Sequence, residues 1–253
     1  MEPKILLIDI ETQPDLVYTW GVYEQNAISV KQHWQLLSYS AKWLGGKQTT
    51  KGLCDYPEYE PGEEDGDYRL VQEIWQLLDE ADIVVAHNGI DFDIKKMNAR
   101  FIAYGMVPPS PYKVVDTRKG LAQVAGFSSN KLDWICKQLG IGHKLEHEGW
   151  QLWLDCMSGD KKAWAKMKKY NAHDVTLLED LYLTIAPWIR QPNAGVWKED
   201  DVCPNPACGS KHLEHRGVAR NKTMTYQRFQ CKDCGAWGRA ALGGKRTAGV
   251  VPA

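Results

Sequence analysis

The chain opens on Ile5-Leu6-Leu7-Ile8, four apolar residues in a row that end in Asp9. A continuous apolar run of that length is the pattern of a central strand covered on both faces. Residues 33–45 and 49–56 read as further strands of imperfect alternation, and 61–66 as a polar loop. A helix follows over 67–80, with Leu70, Ile74, Leu77 and Leu78 on one face. A second buried strand at 83–86, a helix at 92–105 and a strand through Val114 and Val115 come next. Residues 130–139 predict a helix stopped by Gly140, and 160–186 a longer one ending before Pro187. Strands first and then strand–helix alternation predict an α/β fold, a mixed sheet flanked by helices. The spacing places one domain over 1–190, a linker over 191–200, a small cysteine-containing domain over 201–240 and a flexible tail over 241–253.

Charge changes this picture. The net charge of −1 over 253 residues hides a segment, 202–253, that carries nine Lys/Arg against two acids and is +7, which leaves the remainder at −8. An acidic body with a basic C-terminal segment points to a polyanionic partner and to a body that concentrates carboxylates. No apolar run approaches the roughly 18 residues of a membrane span, so no membrane partner is expected. The N-terminus does not read as a secretory signal. Seven cysteines, four of them in two close pairs, fit a reducing cytoplasm better than a disulfide framework.

The acids fall at structured places. Asp9 and Glu11, two apart on one strand, project from the same face. Such close like charges resist joint ionisation unless a cation lies between them; a solvated strand end with two unrelated acids is the bland alternative. Asp93 follows the second buried strand and would sit in a first helical turn, where it could equally be a simple helix-dipole acid. Asp91 is placed to cap that helix. On the long helix, Trp164, Met167, Asn171, Asp174, Leu178, Leu181 and Ile185 recur at spacings of 3 and 4, which puts Asp174 in the core-facing stripe. A buried carboxylate needs compensation, either a divalent metal or an ion pair with Lys or Arg. Tyr170 lies one turn before Asp174, where its hydroxyl could serve that site or its ring could merely pack on the sheet.

Asp9-Ile10-Glu11-Thr12, His87-Asn88-x3-Phe92-Asp93 and Tyr170-x3-Asp174, in that order, resemble the three exonuclease motifs of the DEDD (DnaQ-like) superfamily in its tyrosine branch. The match covers about residues 4–188. The stretch from Asn130 to Ile141 is similar to the helix between motifs two and three in phage-encoded stand-alone members related to the polymerase B exonuclease domain. The resemblance implies an RNase H-like fold and a 3′→5′ exonuclease that releases 5′-mononucleotides, with single-stranded DNA favoured over RNA. It implies that Asp9, Glu11, Asp93 and Asp174 hold two Mg²⁺ or Mn²⁺ ions, with Asp9 bridging them. Tyr170 would orient the attacking water together with Glu11, and Asn88, Thr12 and Leu16 would contact substrate. No polymerase follows the nuclease region, so any proofreading is expected in trans, with a polymerase or replication protein as partner. A bacterial or phage-infected cytoplasm is the expected setting. An RNA 3′-end processing enzyme, and a non-catalytic scaffold of a replication complex, remain the alternatives.

Cys203-x4-Cys208 and Cys231-x2-Cys234 are two tight pairs separated by a hairpin-length insert. Four thiolates so spaced predict a closed, structural Zn²⁺ site of the zinc-ribbon kind, and the metal would supply folding energy to a segment with little core of its own. Tyr226, Phe229 and Trp237 stand among the basic residues, a composition suited to phosphates and unpaired bases, or else to docking on a protein.

Overall fold

The computed structural model of the protein describes residues 2–23, 25–63, 65–193, 201–221 and 224–246. The chain forms two compact units: residues 4–119 with 127–181, and residues 1–3 with 120–126 and 182–253.

The larger unit is built on a five-stranded mixed sheet. Its strands are β1 (Ile5–Thr12), β4 (Leu36–Trp43), β5 (Gln48–Gly52), β6 (Ile83–Ala86) and β7 (Lys113–Asp116), in the order β5-β4-β1-β6-β7. β4 runs antiparallel to β1, whereas β6 and β7 run parallel to it. The central position of β1 explains its unbroken apolar run: Leu6, Leu7 and Ile8 are fully buried because both faces of the sheet are covered. Leu6, Ile8 and Ile10 project from one face into a core with Tyr39, Leu70, Ile74, Leu78, Met97 and Phe101. Each such side chain contributes about 1.5–3 kcal/mol through burial. The opposite face carries Asp9 and Glu11, in register with Ser40 and Ser38 of β4.

The helices are α1 (Tyr68–Glu80), α2 (Asp93–Ala103), α3 (Thr117–Val124), α4 (Leu132–Gln138), α5 (Trp150–Met157) and α6 (Lys161–Ile185). The 3,4-spaced stripe of α6 is buried along its whole length, Asp174 included. A hairpin of β2 (Leu16–Tyr18) and β3 (Ser29–Gln32) was not anticipated by the pattern, nor was α5. The reason is visible in α5, which buries only Leu152 and Cys156 and so shows too little periodicity to read. Asp91 is not a cap: Phe92 occupies that position, and the Asp91 carboxylate pairs with Lys119 at 2.8 Å.

The smaller unit differs from the expected 190/191 division. Gly120 lies against Ile189, where an added Cβ would stand 3.2 Å from its side chain, so 120–126 packs with the chain beyond Tyr182. The expected linker is tied down at its start, with the Tyr182 hydroxyl bonded to Gln191 at 2.7 Å; residues 194–200 lie outside the described residues. Three antiparallel strands follow: β8 (Leu213–Arg220), β9 (Met224–Cys231) and β10 (Trp237–Arg246), in the order β10-β9-β8. β10 corrects the tail expected from 241 onward, because pairing with β9 carries the strand through to Arg246. Residues 247–253 of that tail lie outside the described residues. Among the described residues no helix is long and apolar enough to cross a membrane.

Candidate functional site

Three parallel strands end side by side, and polar chemistry collects beyond their carboxyl ends, as is usual in sheets of this kind. β1 delivers Asp9 and Glu11, and α6 delivers Asp174 from above. One carboxylate oxygen from each of these three lies within 4.8 Å of the others. Asp174 is only 1% exposed, and its Oδ1 is buried with no hydrogen-bond partner. An unsatisfied buried carboxylate oxygen is expensive, and Asp174 stands beside two further carboxylates.

Asp93 stands beside this group rather than within the same 4.8 Å. It is the first residue of α2, nearly fully buried, and its Oδ1 accepts the Ile10 amide at 3.2 Å. The turn before α2 sets it there. Asn88 adopts φ 72°, and Asp116 accepts the amides of Asn88 and Ile90, each at 3.1 Å. Asp116 also accepts the Lys119 amide at 3.0 Å and so caps the N-terminus of α3. At Gly89 a Cβ would lie 2.5 Å from the Cβ of Ala86, so no larger residue fits this close approach. The Asn88 side chain, expected at the substrate, accepts a bond from Arg118 at 2.6 Å. Thr12 ends β1 at a bulge and Leu16 begins β2, both half-buried.

The electrostatics follow from crowding. Burial, then Asp93, Glu11 and Asp174, push the Asp9 carboxyl well above the usual range. Burial and the Asp174 charge lift Glu11 to about 8, and burial lifts Asp93 to about 7 against the pull of backbone amides. Burial also raises Asp174, although Lys144 opposes it. Four acids held this way bind protons or cations avidly.

Two further residues escaped the sequence reading. Lys144 donates to Asp174 Oδ2 at 2.6 Å and to the Tyr170 hydroxyl at 2.9 Å. Burial works against its charge, but Asp174 and Tyr170 outweigh that and hold its pKa above the ordinary lysine value. The lysine sits in a loop with no periodic signal, anchored where its amide bonds Asp133 of α4 at 2.8 Å. So both compensators considered for Asp174 have a place: a lysine on one oxygen, and a metal on the other, which is buried and unpaired. Asn171 donates to Asp9 Oδ2 at 2.6 Å and accepts from Ser38 at 3.2 Å. Asn171 stands in the same core-facing stripe that singled out Asp174, and its burial there was the signal that it serves the site. Tyr170 is walled by His147 and Trp153, at centroid distances of 4.8 and 6.2 Å. His173 turns away to the His143 carbonyl at 2.7 Å. Burial lowers His87 to about 4, and its ring is spent on Thr117 and the Asn130 carbonyl.

The oxygen-only donor set, the crowded charges and the orphaned Asp174 oxygen fit a hard divalent cation. The four thiols of the smaller unit form the other metal-competent group, with all four Sγ atoms within 4.8 Å. Cys203 and Cys234 lie 3.5 Å apart, and Cys208 and Cys231 lie 3.9 Å apart. Those distances are too long for disulfides, but a tetrahedron with metal–sulfur distances of about 2.3 Å has edges of about 3.8 Å. Gly209 and Gly235, at φ 57° and 77°, make the left-handed turns behind Cys208 and Cys234. His212 and His215 are engaged elsewhere, with Asp233 and Phe229.

No curated protein matches the sequence. Among solved structures, the family B DNA polymerase from the hyperthermophilic archaeon Pyrobaculum calidifontis superposes with a TM-score of 0.55 at 14% identity. The match covers 74% of this chain and 25% of the polymerase, so the chain spans about a quarter of that protein's length, and the likeness is one of fold. The RNase_H superfamily signature matches residues 42–186, more than half of the sequence, and takes in Asp93 and Asp174 while starting after Asp9 and Glu11. With the mixed sheet and the helices on it that the sequence pattern predicts, the chain belongs to the RNase_H superfamily.

Proposed function

We propose that this chain is a 3′→5′ exonuclease of the tyrosine DEDD branch, releasing 5′-mononucleotides and preferring single-stranded DNA to RNA. The observation that carries the reading is the convergence of Asp9, Glu11 and Asp174, far apart in sequence, with Asp93 beside them. The superfamily and the fold shared with a DNA polymerase support a nuclease role.

In this reading Asp9, Glu11, Asp93 and Asp174 hold two Mg²⁺ or Mn²⁺ ions. When bound, the metals supply the charge that activates water and stabilises the departing 3′ oxygen. Glu11 and Tyr170 orient the attacking water. Lys144 fixes the Tyr170 hydroxyl and balances Asp174, and Asn171 fixes the Asp9 carboxylate. Asn88, Thr12 and Leu16 contact the terminal nucleotides. The four cysteines bind one structural Zn²⁺ as a zinc ribbon, and a polymerase or replication protein is the partner in trans.

The test uses matched 3′-labelled DNA and RNA single strands, with and without Mg²⁺ or Mn²⁺. Mononucleotides should appear from DNA and vanish with Asp9→Ala or Asp174→Ala. Faster loss of the RNA strand would instead make it an RNA 3′-processing enzyme. Intact strands in both metals would refute hydrolysis, and cleavage of a circular single strand would refute the end requirement.

A further inference from the structure

We propose that one face of the three-stranded sheet in the smaller unit is a second nucleic-acid site, which holds a single strand by alternating guanidinium and ring contacts. This goes beyond the nuclease reading and does not depend on catalysis.

Residues directly opposite in an antiparallel pair share a face. In β9, Tyr226, Arg228 and Gln230 point one way, while Thr225, Gln227 and Phe229 point the other. The register pairs Gln230 with Trp237 and Arg228 with Arg239, which adds those two β10 residues to the first face. On β8, Glu214 joins it opposite Gln230. The Arg239 guanidinium lies 4.6 Å from the Tyr226 ring, and that of Arg228 lies 5.6 Å from the Trp237 ring. Cation and ring therefore alternate diagonally across the strands. Arg228, Arg239 and Trp237 are exposed, Trp237 to 53%.

Charge decides the occupant. Glu214 is taken by Arg216 at 3.0 Å; Arg228 gives its Nε–H to the Arg216 carbonyl at 3.2 Å, and among the described residues neither Arg228 nor Arg239 has a carboxylate within salt-bridge distance. The two stacked guanidiniums call for anions, and the flat rings beside them call for other flat groups. A single strand offers both at regular intervals: phosphates, and bases whose faces are free. A duplex hides its base faces, and an acidic peptide lacks them. Phe229, grouped with the other aromatics on composition, belongs to the far face and packs on His215 at 4.7 Å.

The test measures anisotropy of a fluorescein-labelled circular single strand, which has no 3′ end, with Asp9→Ala protein carrying the cysteine-bound zinc. Failure here is thus separate from failure of hydrolysis. Arg228→Gln with Arg239→Gln should weaken binding about tenfold or more and reduce the slope of log Kd against log salt by about 1.4, two phosphate contacts at about 0.7 each. Trp237→Ala should weaken it about tenfold and Trp237→Phe far less. The charge-matched control, Arg220→Gln with Lys232→Gln, takes Arg220 from the far face and Lys232 from beyond the strand. It should change binding less than threefold, by the standard of a lost rim charge. Equal losses from both pairs would reduce the effect to net charge and overturn the proposal. So would undiminished binding in the first pair, or equal affinity for duplex DNA or polyglutamate.

Discussion

Replacing Lys144 with methionine separates the charge of this lysine from its bulk. In the wild type the ammonium lies 2.6 Å from an Asp174 carboxylate that is 1% exposed, while its own side chain is 32% exposed. Removing one partner of a fully buried pair destabilises by about 3–5 kcal/mol, whereas an exposed pair contributes about 0–1 kcal/mol. With one partner sealed and the other a third open to water, the loss should be about 2 kcal/mol. For a chain of this size that is a fall in Tm of about 4–8 °C. The measurement is thermal denaturation in buffer stripped of divalent ions on a chelating resin, with zinc retained, and again in saturating Mn²⁺. A divalent cation among the carboxylates replaces the missing charge, so the deficit of Lys144→Met should shrink by at least half in Mn²⁺. Its stabilisation by Mn²⁺ should accordingly exceed that of the wild type. An equal deficit in both buffers would show that the lysine acts through packing, and the electrostatic account of the site would fail.

Other outcomes follow from the same geometry. Glu11 and Asp93 hold protons up to about pH 8 and about pH 7, above their ordinary values of 4.5 and 3.8. Their contribution to stability without metal is therefore full below about pH 4 and is lost as pH rises through 7 to 8; saturating Mn²⁺, which requires the ionised forms, should flatten or reverse that slope in denaturation curves. Gly89→Ala drives a Cβ to 2.5 Å from Ala86, so it should lower stability by about 1–3 kcal/mol and reduce nuclease turnover by shifting Asp93; an unchanged Tm would contradict the close approach. Asn171→Leu removes the 2.6 Å donor to Asp9 and should lower metal affinity about 10–100-fold by calorimetric Mn²⁺ titration, and an unaltered affinity would leave Asn171 a purely structural residue.

The sequence by itself determined what short-range periodicity and spacing can encode. Ile5 to Ile8 read as a central strand because both its faces are buried, and Asp174 read as buried because six apolar or amide neighbours share its stripe. The two cysteine pairs needed only their spacing to predict a common site. Tertiary structure alone decided the rest. Lys144 lies on a loop, so nothing repeats around it; bonds from the loop to Asp133 of α4 and to His173 of α6 bring it to Asp174. Gly120 joins the second unit because Ile189, distant in sequence, packs against it. Strand register, not composition, put Trp237 and Tyr226 on one face of β9 and β10 and Phe229 on the other. A local pattern specifies which face of an element is buried; which residues from other elements meet it depends on packing between segments far apart in the chain, and that is where the candidate site acquired its charge balance.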